Sequence, residues 1–348
     1  MNETVKNICL FAPLILPIPN VKGGAIETLI TNLIACNEKE KKLKLTVISI
    51  YDKEAEKMSK QYPSTNFIYI KKTKLGNSLD FIKRAMRKIT KNDNIVPYYY
   101  KKAFERIKEH SFDYILAEGS EERCFNQLLK HSQYKKEQLI AHIHYHRLAE
   151  TQIDACFGTI IAISDFVKRQ WLKTSMDKQE NDVKVLMNGI DLAKFDKEIA
   201  EEERQKIREN YHLNKEDFVV LYCGRITQVK GVKELVQAMQ QISDKTVKLL
   251  IVGSPNFAIG KNSAYLKEIK KMAKQDKERI HFTGYVDNAQ LYKYYKAADL
   301  MVVPSLWEEA ARSSMYRSHD YKNPINRDEF WWDDRICQAD SYRHYTKR

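Results

Sequence analysis

The sequence predicts an α/β chain built from two doubly wound parallel sheets. Three observations carry this: short apolar runs alternate with amphipathic stretches, the alternation restarts after about residue 195, and 348 residues exceed one ordinary domain. In the first half, strands are expected over 7–12, 45–51, 66–70, 112–117, 138–143, 158–163 and 183–187. After a charged helix over 201–210, the second series runs strand 218–223, helix to 242, strand 247–252, helix 263–274, strand 280–282, helix 289–298 and strand 300–303. The domains are therefore 1–195 and 196–310, both Rossmann-like, with 311–348 standing apart. The cleft between two such units is the default place for a site.

The formal net charge of +13 points to acidic partners: a nucleic acid, an anionic membrane, or phosphorylated substrates. The 20 tyrosines mostly take core spacing and no RNA- or DNA-binding module is present, so no nucleic-acid partner is expected. Six cysteines are scattered without a Cys-x-x-Cys or a His/Cys ligand cluster, which reads as reduced thiols in a cytoplasmic protein with no metal. The apolar start, Ile8 to Pro19, holds three prolines behind Glu3 and fits a first strand and loop better than a signal peptide. No apolar run is long enough to span a bilayer. From Asn77 to His110 come two basic, apolar-striped stretches, Phe81 to Ile89 and Tyr98 to Ile107. Their apolar sides either pack on the sheet or dock on an anionic membrane, which would make the protein peripheral at the inner membrane face.

The motif with the clearest chemistry is Tyr222-Cys-Gly-Arg-Ile-Thr-Gln-Val-Lys-Gly231. A strand empties into a turn bounded by Gly224 and Gly231, with Arg225 and Lys230 at the mouth of a helix. Such a turn holds phosphate through close backbone approach, helix-end N–H groups and two cations. Gly23-Gly24 lies after the first strand and opens another helix, either as a ligand-facing turn or as a tight helix entry. It is not a Gly-x-Gly-x-x-Gly fingerprint, which counts against a dinucleotide-dependent dehydrogenase. His142, His144 and His146 share one face if their strand continues, and Glu118 ends the preceding strand.

Together with Asn188-Gly-Ile-Asp191 and Val303-Pro-Ser-Leu-Trp-Glu-Glu309, these landmarks resemble the GT-B glycosyltransferases, specifically the retaining family four, over about residues 5–310. The resemblance implies two Rossmann-like domains facing a cleft and transfer of a sugar from a nucleotide-diphosphate sugar to a glycan or lipid-linked acceptor in cell-surface polysaccharide synthesis. It gives Arg225 and Lys230 the donor diphosphate, with Gly23, Gly24, Gly224 and Gly231 letting the donor approach. His144 and Glu309 become the catalytic candidates, with Glu118, His142 and His146 behind them. No cofactor or metal is implied, since fixed cations can stabilise the leaving diphosphate. Two alternatives stay open: a nucleotide-sugar epimerase of the same architecture, and a non-catalytic partner in a glycan-assembly complex.

The resemblance breaks after Ala310. Its second carboxylate should stand eight residues beyond Glu309, where this chain has Arg317, and the following residues lack helical or strand period. Reading each codon from its second nucleotide into the next forces Cys from Met315-Tyr316 and Gly-Gly from Trp331-Trp332-Asp333. The stretch from Arg312 to Cys337 then admits Gly-Leu-Val-Cys-Ile-Glu-Ala-Met-Ile-Thr-Lys-Thr-Pro-Leu-Ile-Ala-Thr-Asn-Ser-Gly-Gly-Met-Thr-Glu-Tyr-Val, which looks like the missing segment. The expectation is an out-of-frame tail, an incomplete second domain and an inactive transferase.

Overall fold

The computed structural model describes residues 5–92, 94–119, 121–189, 197–255, 263–306 and 325–326. The chain divides into two compact units, Met1–Ile190 and Asp191–Arg348. The first is a seven-stranded sheet in the order β3-β2-β1-β4-β5-β6-β7, every neighbouring pair parallel. Its strands are β1 (Lys6–Phe11), β2 (Leu43–Ile50), β3 (Thr65–Ile70), β4 (Tyr114–Glu118), β5 (Leu139–Ile143), β6 (Thr159–Ala162) and β7 (Val183–Val185). All seven fall where the apolar runs predict them, with ends shifted by up to two residues.

Both faces of this sheet are covered, as parallel sheets require. Helix α1 (Ala25–Glu40) buries Ile30 and Ile34 against Leu10, Leu45 and Val47. Elsewhere Phe11 meets Tyr100, Phe104 and Phe125 with ring centroids 5.6, 5.8 and 5.2 Å away. Tyr100 and Phe104 belong to α4 (Tyr98–Lys108), whose buried Tyr100, Ala103, Phe104 and Ile107 recur at helical spacing. The remaining helices are α2 (Lys53–Ser59), α3 (Lys74–Thr90), α5 (Phe125–Lys130), α6 (Thr151–Cys156) and α7 (Asp165–Thr174).

The two basic stretches behave differently. In α4 the apolar side packs inward as expected. In α3 it does not: Leu75, Phe81, Ile82 and Ile89 are 72, 73, 50 and 81% exposed, and Gly76 is its buried residue. Thr73 caps this helix by accepting from the Gly76 amide, and Tyr99 ties its start down through bonds to Thr73 and Asn77. Among the described residues no helix is long and apolar enough to cross a membrane.

The second unit holds a five-stranded sheet in the order β10-β9-β8-β11-β12. Its strands are β8 (Phe218–Cys223), β9 (Val247–Val252), β10 (Ile280–Gly284), β11 (Leu300–Val302) and the short β12 (Ile325–Asn326). Its helices are α8 (Glu201–Asn210), α9 (Val232–Gln241), α10 (Ala264–Ala273) and α11 (Leu291–Ala297). Alternation along the strands splits the core: Val220, Tyr222, Leu249 and Ile251 face α9 and α10, while Val219, Leu221, Leu250 and Val252 face Leu291 and Tyr295 of α11.

Arg208, 1% exposed on α8, locks the far end of this sheet. Its guanidinium donates to the carbonyls of Ala297, Asn214, Lys215 and Asp217 and to Asp299 Oδ2 at 2.6 Å. Asp299 accepts from the Val219 amide at 2.7 Å and returns its own amide to the Val219 carbonyl at 2.9 Å. This seats β11 on β8 with Leu300 opposite Val220.

At the other end of β11 the chain meets Gly231. A Cβ there would fall 1.8 Å from the Pro304 carbonyl oxygen, and φ is +67°. Both facts demand glycine. Replacing Gly231 by Ala should destabilise the second unit by about 1–3 kcal/mol. Gly189→Ala should be near neutral, since a Cβ there meets nothing within 4 Å. Thermal unfolding of the two variants checks this; equal melting temperatures would contradict it.

Candidate active site

The candidate side chains of the first unit gather where β4 and β5 end. Glu118 and His142 are register partners on these strands, so their side chains leave the sheet side by side. Glu118 is 3% exposed, not the solvated strand-end acid that its position suggests. Its Oε2 lies 3.0 Å from His142 Nδ1 and 2.6 Å from His144 Nε2, and the two imidazole centroids are 4.0 Å apart. Strand β5 stops at Ile143, so the three histidines do not share one face. His144 turns back onto Glu118, whereas His146 is exposed and lies against Phe166, with ring centroids 5.1 Å apart.

The electrostatics follow from this geometry. Burial alone would raise the Glu118 pKa, but hydrogen bonds from His142 and His144 outweigh it and hold the carboxyl below its usual range. Burial pushes His144 the other way, below the usual imidazole range, against the pull of Glu118. An ionised carboxylate only accepts, so the nitrogens facing it carry the protons. In a neutral ring this leaves His144 Nδ1 and His142 Nε2 as lone pairs. Both are buried and neither has a hydrogen-bond partner among the described residues. The same three residues are the described group that could hold a metal ion, with ligand atoms within 4.8 Å of one another.

The Gly23-Gly24 turn borders this cluster. A Cβ on Gly119 would lie 3.0 Å from His144 Cδ2 and 3.1 Å from Ile26 Cδ1, so the first turn of α1 closes on the histidine. Gly24, at φ +107°, caps α1, and a Cβ there would strike Glu27 Oε2 at 2.0 Å. Glu27 is a buried acid that the motif reading passes over, with its pKa raised by burial against its own backbone hydrogen bond. Its place three residues after the cap, where capping-box acids sit, is the signal that could have found it.

In the second unit, Gly224, Arg225, Lys230 and Gly231 lie together between β8 and α9. The turn is held by its own backbone: Gly224 donates to the Val252 carbonyl at 3.0 Å, Ile226 to that of Ser254 at 3.1 Å, and Tyr222 Oη to that of Arg225 at 2.7 Å. Gly253, at φ +142°, packs so closely that its Cβ would fall 1.9 Å from the Gly224 carbonyl oxygen. Arg225 is exposed, and no carboxylate among the described residues pairs with it. The first intrahelical bond of α9 runs from the Leu235 amide to the Gly231 carbonyl, and of the earlier amides that of Lys233 donates to Tyr265 Oη at 3.4 Å. The Leu306 amide donates to the Val229 carbonyl at 2.9 Å, bringing the segment after β11 to this turn. Glu309 and Arg317 lie outside the described residues.

Residues 203–314 match the protein family described as Glycosyl transferases group 1. Spore coat protein SA of Bacillus subtilis (strain 168) is 23% identical over 333 residues, which cover 91% of this chain and 79% of that protein. The capsular polysaccharide biosynthesis glycosyltransferase CapM of Staphylococcus aureus is 39% identical over 106 residues, 28% of this chain and 26% of its own. Among solved structures, Anabaena Alr3699/HepE in complex with UDP superposes with a TM-score of 0.63 at 16% identity, covering 92% of this chain and 79% of that one. Residues 203–314 are thus similar to the glycosyl transferases group 1 family and the two parallel sheets match the GT-B fold, which together support a hexosyltransferase-type enzyme.

Proposed function

We propose that this chain derives from a retaining family-four glycosyltransferase that moves a sugar from a nucleotide-diphosphate donor to a glycan or lipid-linked acceptor in cell-surface polysaccharide synthesis. The observation that carries the donor half is the turn from Gly224 to Gly231, with exposed Arg225 ahead of the open end of α9. When the sugar leaves, negative charge grows on the diphosphate. Arg225, Lys230 and the helix-end amides are preorganised to meet it, so the step needs no metal at the phosphate. The UDP bound to the structural relative HepE supports a nucleotide donor here.

In the first unit, Glu118 fixes the ring of His144 and leaves Nδ1 as an acceptor. We assign His144 to a hydroxyl of the reacting sugar, with Glu118 and His142 as positioning residues. Gly23 and Gly24 let a substrate approach the start of α1. Glu309 is the proposed carboxylate on the donor side. The polysaccharide context rests on the similarity to CapM.

We also propose that the reading frame shifts close to Arg312. The three forced residues and the uncontradicted run to Cys337 support this. Arg317 then replaces a donor-binding carboxylate with the wrong charge, and the chain as written is inactive while its in-frame parent turns over. Finally, the outward apolar stripe of α3, flanked by lysines, supports peripheral docking on an anionic membrane at the cytoplasmic side.

Three measurements test these readings. Isothermal titration with nucleoside diphosphates should show binding that falls at least about tenfold in Arg225→Ala and Lys230→Ala, the loss of one charge-assisted contact each. Undiminished binding would sink the donor assignment. Sequencing the gene should give codons that spell the helix carrying the second glutamate in the shifted frame; codons that cannot do so end the frame proposal. Cosedimentation with phosphatidylglycerol vesicles should weaken in Ile82→Glu and Ile89→Glu, and unchanged binding would remove the membrane contact.

A further inference from the structure

A cavity of about 930 Å³ opens at the same edge of the first sheet as Glu118 and His144. It is lined by the loops that follow β4 and β5 and by the last turns of α3. Open parallel sheets bind ligands at this carboxyl edge, and the volume lies in the usual range for a small-molecule site.

Its charge is one-sided. Among the described lining residues Arg84, Arg87, Lys88, Lys91 and Arg123 outnumber the carboxylates Glu121 and Glu150, and Asp80 pairs with Arg84 at 2.6 Å, which leaves an excess of two positive charges. The arginines are held in place: Arg84 and Arg87 both pair with Glu121, and Arg123 pairs with Glu150. Arg147 ties Glu150 to the buried Glu122, so the wall between the cavity and the histidines is cross-linked. Lys88 and Lys91 are exposed, and no carboxylate among the described residues pairs with them. Among the described residues the lining offers no aromatic ring on which a neutral sugar could stack. Arg84, Arg87 and Lys91 lie on the side of α3 away from most of its exposed apolar stripe, and Lys88 lies at the border beside Phe81.

Preorganised guanidinium groups with two uncommitted lysines suit an anion with several oxygens, not a neutral glycan. We infer that this cavity binds the phosphate or diphosphate end of a phosphorylated acceptor. The inference rests on the glycosyltransferase reading, for it places the acceptor's charged end beside His144. It narrows the acceptor from any glycan to one carrying phosphate.

The test uses inorganic pyrophosphate on the full chain bearing Arg225→Ala and Lys230→Ala, so that the second unit's turn does not contribute. Calorimetry should show binding near one equivalent that weakens with added salt. Adding Lys88→Ala and Lys91→Ala should weaken it about tenfold while the melting temperature is kept, because neither lysine supports another described side chain. Geranyl diphosphate should bind at least as well as pyrophosphate if the group belongs to an esterified acceptor. Absence of pyrophosphate binding, indifference to the lysine changes, or rejection of the ester each overturns the assignment. Failure of the donor reading shows separately, as loss of nucleoside diphosphate binding by the unaltered chain.

Discussion

The second unit depends on a buried arginine. Arg208 gathers four carbonyls and the Asp299 carboxylate where α8, the loop before β8 and the start of β11 converge. Removing one partner of such a pair typically costs about 3–5 kcal/mol, because a charge is left without compensation. The pair also has a geometric consequence. By bonding both ways to Val219, Asp299 sets the register of β11 on β8. That register delivers Pro304 to Gly231 and Leu306 to Val229. An interaction at the amino end of the sheet thus positions the turn from Gly224 to Gly231 at its carboxyl end.

The first unit uses a different device. Glu118 accepts from two imidazoles through a single oxygen, so one carboxylate sets the orientation of both rings. The cost of burying the charge is offset by two hydrogen bonds, and the outcome is directional. Each ring is left with a buried nitrogen, His142 Nε2 and His144 Nδ1, that has no partner among the described residues. The arginine and acid pairs around the neighbouring cavity orient charge in the same way, with ion pairs serving as struts.

Much of the fold is legible in the sequence because parallel sheets buried on both faces leave near-continuous apolar runs, as in Phe218 to Cys223. The turn from Gly224 to Gly231 is legible for a related reason: glycines and cations stand close together in the chain. The cluster at the ends of β4 and β5 is less so. Whether Glu118 is solvated depends on β5 lying beside β4, which local sequence does not encode. Period-two spacing suggested that His146 joins His142 and His144, but β5 ends before it. Amphipathicity in α3 reveals an apolar face without revealing that α4, not α3, fills the core. Glu27 and the basic cavity escaped because their surroundings come from separate segments.

The contact of Gly253 with the Gly224 carbonyl has a further consequence, for how such a chain can evolve. The turn from Gly224 to Gly231 owes its shape to the Cβ atoms missing at Gly253 and Gly231 more than to any side chain that is present. Constraint by exclusion leaves neighbouring positions free to drift, provided nothing grows into the gap. Loops around the turn can then be rewritten while the same backbones stay in touch. What is inherited at this site is a space.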